Sequence, residues 1–326
     1  MRGKQWFQAT LVAALVAAGS LVQAQVVGAV NGSAQAARAF FQDTRATFAG
    51  HESRSAVANA GSDAFALSTT TDMQALAQLG VVAQDWAHQQ PKGVAPTAST
   101  VVFLVRAGNP KGIRDWSDLV RQNVHAVVSN PKLCNSGRYA YLAAWGSARE
   151  QGASDAQAAE FVATLYRQAQ VLAKGERDAV TAFARERQGD VLIALESDVA
   201  SIRGSAGGSE FTVIYPSTSV LAENPVALVA QGASESQLRE ARAYLAYLYT
   251  DEAQEIAARH GLRPQSAAVL ARHAESFKAI STFPVTKYFG SLELAQKVHF
   301  SAGGRFDQIW QPGAAQLAAA GARAPL

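Results

Sequence analysis

Val101-Val102-Phe103-Leu104-Val105-Arg106-Ala107-Gly108-Asn109-Pro110-Lys111-Gly112 runs from an apolar strand into a dense turn, and Asp115-Trp116-Ser117-Asp118-Leu119 follows as a helix start. The glycines and proline end the strand, and the aspartate before the tryptophan opens the next segment. The same rhythm spreads outward from this stretch. Strand-like runs are expected at Gln25–Val30, Ala64–Ser68, Val101–Arg106, His125–Ser129, Val191–Leu195, Phe211–Pro216 and Val226–Ala230. Between them, apolar residues recur at three- and four-residue spacing in Ala36–Phe48, Asp72–Leu79, Tyr139–Gln151, Ser154–Arg167, Glu176–Gln188, Ser234–Tyr249 and Asp251–His260. Alternation of this kind predicts an α/β fold with mixed or parallel sheets covered by helices. Ligands of such folds gather at the carboxyl ends of strands and at helix N-termini, and two lobes facing each other would make a cleft.

The ends of the chain read differently. Arg2 and Lys4 precede an apolar run from Leu11 to Val22, and Val22-Gln23-Ala24 places small residues where a signal peptidase reads them. This predicts a secretory leader over residues 1–24, and therefore a periplasmic protein. Losing Arg2 and Lys4 leaves 27 basic residues of 29, against 26 acidic, so the secreted chain is nearly neutral. No basic stripe with interleaved aromatics points to nucleic acid. With one cysteine, Cys134, there is no internal disulfide. Gly204–Ser209 is expected as a surface loop, and Pro312–Leu326 as a frayed Ala/Gly/Pro tail.

Much of residues 96–310 resembles the periplasmic sulfate-binding protein family of ABC importers. Ala95-Pro96-Thr97-Ala98-Ser99-Thr100 through Lys111 follows the family's signature, and Asp115–Leu119 continues it. Asn130-Pro131-Lys132, Tyr141-Leu142-Ala143-Ala144-Trp145-Gly146 and Gly189-Asp190-Val191-Leu192-Ile193-Ala194 come next in order. Leu221-Ala222-Glu223, Tyr247-Leu248-Tyr249, Arg263-Pro264, His299-Phe300 and Phe306-Asp307-Gln308-Ile309 complete the match. The resemblance implies a two-lobed, type II periplasmic-binding-protein-like fold. Each lobe is then a mixed sheet flanked by helices, the first shortened: 25–103 with 222–326, and 104–221 as the second. It also implies a tetrahedral oxyanion held mainly by neutral donors, with backbone N–H groups at helix starts supplying partial positive charge. The hinge is expected near Ser99–Arg106 and Ser219–Pro225.

The departures from the family pattern fall on the expected anion site. The family's aspartate-proline-threonine-arginine turn becomes Asn31-Gly32-Ser33-Ala34-Gln35-Ala36-Ala37-Arg38, where Ser33 or Gln35 stands in for the aspartate. The family's second strand and the Gly-Gly-Ser-Gly-Lys loop that opens its next helix have no counterpart around Phe48–Ser53, where roughly twenty residues are missing. After Lys132 the family's Ser-Ser-Gly-Gly-Ala-Arg becomes Leu133-Cys134-Asn135-Ser136-Gly137-Arg138. A thiol thus replaces a hydroxyl, and side chains occupy glycine positions. Gly-Ala-Arg-Gly becomes Gly175-Glu176-Arg177-Asp178, setting carboxylates near an expected anion, and Leu195 replaces a tryptophan. Each residue also has a structural reading: Glu176 and Asp178 as a solvated helix start, Cys134 as a small buried hydrophobe, Arg138 and Arg177 as lobe braces.

Other chemistry finds no support. The six histidines form no metal pair at helical spacing, and there is no Gly-x-Ser-x-Gly elbow or Walker motif. The expectation is a monomeric, cofactor-free, non-enzymatic binding protein that delivers sulfate or thiosulfate to an inner-membrane ABC permease. A divergent paralogue acting as a sensor or interaction protein is the alternative, and an exported enzyme using Cys134 a weaker one.

Overall fold

The computed structural model describes residues 25–29, 34–52, 66–67, 73, 76–78, 82–86, 91, 95–204, 211–229 and 235–310. The expected leader, the tail from Pro312 and the loop from Ser205 to Ser209 lie outside these residues, and so does Ser33. In chain order the strands are β1 (Gln25–Ala29), β2 (Ala66–Leu67), β3 (Thr97–Ser99), β4 (Val101–Arg106), β5 (Ala126–Ser129) and β6 (Val171–Ala173). They continue as β7 (Val191–Leu195), β8 (Phe211–Ile214), β9 (Thr218–Asn224), β10 (Val226–Val229), β11 (Arg263–Pro264) and β12 (Ser281–Pro284). The helices used below are α1 (Ala34–Glu52), α2 (Asn135–Glu150), α3 (Asp155–Gln168), α4 (Glu176–Val180), α5 (Glu235–Tyr247), α6 (Asp251–Arg259) and α7 (Arg305–Ile309).

The chain divides into two compact units: residues 1–99 with 223–277, and 100–222 with 278–326. In the first unit β1 pairs antiparallel with β10 and parallel with β2, giving a mixed sheet. Phe40, Phe41 and Phe48 of α1 interlock with Tyr244, Leu245 and Leu248, and with Ile256 of α6. Within this apolar layer Thr44 Oγ1 meets the Tyr244 hydroxyl at 2.7 Å. Gln254, 1% exposed, bonds backbone on both sides: it donates to Pro96 O and Leu248 O at 2.8 Å each and accepts from Gln265 N.

The second unit holds a five-stranded sheet in the order β6-β5-β7-β4-β8. β5 runs parallel to both β6 and β7, while β4 runs antiparallel to β7 and β8. Val101 to Leu104 and all of β7 are buried on both faces, so these strands read as continuous apolar runs. On one face α2 and α3 pack through Tyr141, Trp145, Val162 and Tyr166, and the other is covered by Phe183, Ile202 and Phe211. Arg106 closes the end of β4 by donating to Gly189 O, Gln188 O and Phe183 O.

Two placements differ from the sequence reading. The strand β4, which that reading divides between the lobes at residues 103 and 104, lies wholly in the second unit because both its ladders are there. Residues 278–310, expected in the first lobe, also belong to the second unit. The cause is apolar: Phe283, Phe289, Phe300 and Phe306 are all buried in the cluster built around Tyr141 and Trp145. β12 adds a parallel ladder to residues 218–221 of β9, and Lys132 Nζ meets Asp307 Oδ1 at 2.6 Å.

Candidate functional site

Because β5, β6 and β7 are parallel neighbours, their carboxyl ends leave the same edge of the sheet, and each is followed by a helical turn. That edge is where an α/β sheet presents ligand groups. The loop after β5 is fixed first. Asn130 N donates to Ala173 O at the end of β6 at 2.8 Å, and Asn130 O accepts from Leu133 N at 3.0 Å and Cys134 N at 3.2 Å. Asn130 Oδ1 accepts from Lys132 N at 2.9 Å. The asparagine therefore folds the loop back on itself before α2 begins.

Cys134 occupies the N-cap of α2 with φ −144° and ψ 161°, and its side chain does not cap the helix. Its Sγ instead lies 3.7 Å from Asn130 O and 3.5 Å from Ser136 Oγ. Ser136 is 6% exposed, Asn135 half-buried, and no acidic residue stands in the first turn. A 16-residue helix starting this way presents first-turn N–H groups without intrahelical partners and the positive end of its dipole. Gly137 has another task. A Cβ there would stand 2.6 Å from Ser129 O and 2.7 Å from the carbonyl carbon of Asn130, so the glycine lets α2 lie against the end of β5.

After β6, Gly175 caps α4 without a side-chain bond. Glu176 is half-buried, whereas Arg177 and Asp178 are exposed. Burial pushes the Glu176 carboxyl above the usual carboxylate range, and the nearby Asp198 opposes the shift. Asp198 is fully buried in the turn Glu196–Asp198 that follows β7. In the same turn Glu196, 4% exposed, accepts a hydrogen bond from the Tyr215 hydroxyl at 2.7 Å. Since β5 lies between β6 and β7, Glu176 and Asp198 follow the two strands that flank the one leading into α2.

The expected residues thus separate into groups. Cys134, Asn135, Ser136 and Gly137 form one helix start, and Glu176 stands at the next. Arg177 points to solvent. Leu195 does not join them: it is 1% exposed and sits in the core, registered opposite Val101. Gln35 lies in the first turn of α1 in the first unit. The sequence reading missed Asn130, which shapes the loop, and the carboxyls of Glu196 and Asp198. The signal for the latter was the pair of acids immediately after a continuous apolar strand.

Comparison with known proteins agrees with this architecture. Residues 9–263 match the model of a family described as bacterial extracellular solute-binding protein. A thiosulfate-binding protein of Pseudomonas aeruginosa is 43% identical over 263 residues, 80% of this chain and 79% of its own. A sulfate-binding protein of Escherichia coli is 39% identical over 80% of each chain. Among solved structures, the sulfate-binding protein of Mycobacterium tuberculosis superposes with a TM-score of 0.60 at 29% identity, covering 71% of this chain and 78% of its own.

Proposed function

The chain belongs to the sulfate- and thiosulfate-binding family of bacterial extracellular solute-binding proteins, and from that premise we propose that it captures a small sulfur oxyanion in the periplasm and delivers it to an ABC permease. The observation that carries this reading is the start of α2. There Cys134, Asn135 and the buried Ser136 surround the N-terminus of a 16-residue helix with no acidic residue in its first turn. Neutral donors at a helix N-terminus stabilise an anion without a counter-cation. The relatives are named for binding rather than for catalysis. Cys134, the candidate nucleophile, has its hydrogen bonds with Asn130 O and Ser136 Oγ. Among the described residues no helix is long and apolar enough to cross a membrane.

Thermal unfolding with millimolar sulfate, thiosulfate, phosphate or molybdate tests the proposal. A ligand at a hundred times its Kd that binds only the folded state stabilises by about 2.7 kcal/mol, a shift of several degrees. A rise with sulfate or thiosulfate is the expected result. An unfolding temperature unmoved by all four anions overturns it.

A further inference from the structure

Independently of which solute is bound, we propose that a groove between α3 and α7 seats this chain's own last segment, residues 311–326, as a strap across the second unit. The groove has a volume of about 410 Å³ and is lined by Ala156, Ala159 and Ala163 of α3 and by Gln308 and Ile309 of α7. The three alanines stand three and four positions apart, so they share one face of the helix. Each side chain ends at its Cβ, which lets a second backbone come closer to α3 than any longer side chain would allow.

Position, fit and an unmet hydrogen bond together choose the occupant. Ile309 lines the groove, and the chain passes through Trp310 directly into residues 311–326. A segment tethered at the groove competes at an effective concentration in the millimolar range, which a separate molecule does not reach. From Ala156 to Ala163 the helix rises only about 10 Å, whereas residues 311–326 reach about 50 Å when extended. Seven of those sixteen residues are alanine, and Leu317 stands among them as a large apolar anchor. The segment's single charge is Arg323. Glu160, exposed at the same groove, gives its Oε1 to Arg167 at 2.6 Å, which leaves Oε2 as an acceptor for that arginine. Trp310 is held by stacking on Phe306 at 5.6 Å, yet its Nε1 is buried and finds no acceptor among the described residues. Buried N–H groups are nearly always paired, and the carbonyls of the residues that follow Trp310 are the next acceptors along the chain. A second copy of the chain fits less well, because a stable interface buries about 800 Å² on each partner and this groove offers only a few short side chains.

Hydrogen exchange on the full chain, read by mass spectrometry, tests the strap. The amides of residues 314–322 should exchange more than about tenfold slower than those of an unstructured peptide of the same sequence, at every protein concentration. Ala159→Arg, which fills the groove, and Leu317→Asp, which removes the anchor, should each return these amides to unstructured rates. Both variants are checked for native circular dichroism, and Leu317 lies outside the core, so a folding failure in Ala159→Arg does not stand for the result. Unstructured rates in the unaltered chain overturn the proposal, as does protection that survives both substitutions. Protection that disappears on dilution assigns the groove to a second copy and overturns it too.

Discussion

The Tyr141 hydroxyl and His299 Nδ1 lie 2.9 Å apart in the core of the second unit, joining the middle of α2 to the segment that follows β12. Trp145, Phe289 and Phe300 surround the imidazole at ring-centroid distances of 5.1, 5.3 and 6.1 Å. Burial, reinforced by the positive charge of Arg305, pushes the His299 pKa down to about 4. The folded state therefore keeps this histidine neutral where the unfolded chain protonates it.

That difference has a sign. Between the unfolded pKa near 6.5 and the folded value near 4, the unfolded state binds the extra proton, so stability falls as pH falls through this window. Urea unfolding at pH 7 and pH 5 should show a loss of about 2 kcal/mol from this group. His299→Gln should be less stable at pH 7 but lose correspondingly less on acidification. Equal losses in both proteins would refute the assignment.

The terminal segment is held by apolar packing more than by charge. Lys132 and Asp307 form a close pair, and the lysine holds the Asp307 carboxyl below the usual carboxylate range, yet their side chains remain 28% and 34% exposed. Solvent-screened pairs of this kind contribute about 1 kcal/mol or less. Phe306, by contrast, is 0% exposed and stacks on Trp310 at 5.6 Å. A double-mutant cycle on Lys132→Ala and Asp307→Ala should give a coupling of at most about 1 kcal/mol, while Phe306→Ala should cost about 3–5 kcal/mol. Chemical denaturation measures both.

Glycines in α2 set how closely the helix packs at each end. At Gly146 an added Cβ would meet the Phe283 ring at 2.1 Å, and at Gly137 it would meet backbone oxygen at 2.6 Å. A ring can shift, whereas the carbonyl of Asn130 is fixed by the turn it closes. Both substitutions to alanine should destabilise by about 1–3 kcal/mol. Only Gly137→Ala should also weaken sulfate affinity, since it displaces the helix start. A calorimetric Kd for Gly137→Ala equal to that of the unaltered chain would contradict this.

How far the sequence disclosed the fold depended on where the apolar residues fell. β4 and β7 have the bounds expected for them because they are unbroken apolar runs buried on both faces. β9 was invisible to hydrophobic pattern: its Thr218, Ser219 and Asn224 are buried polar residues, satisfied across the chain by bonds such as Ser219 Oγ to Val101 O at 3.1 Å. β3, β6 and β11 have two or three residues each, too few to show a period. In the site, the two helix starts could be found from ordered matches to a family. The placement of Glu176 and Asp198 after the two strands that flank β5 could not, because sheet order alone relates segments 22 positions apart.

Cys134 offers the most direct test of the helix start as an anion site. Its Sγ is within 3.5 Å of Ser136 Oγ and leaves the N-cap without a side-chain bond. A thiol is a weak donor, whereas a serine hydroxyl donates well and is a preferred N-cap residue. Cys134→Ser should therefore raise the unfolding free energy by up to about 1 kcal/mol through capping. If the anion sits on this helix, sulfate affinity should tighten as well, by up to about tenfold for one added hydrogen bond. The two effects separate in one experiment: unfolding without ligand reads the cap, and titration reads the site. A stabilised variant with an unchanged Kd would show that the hydroxyl serves the helix and that the anion lies elsewhere.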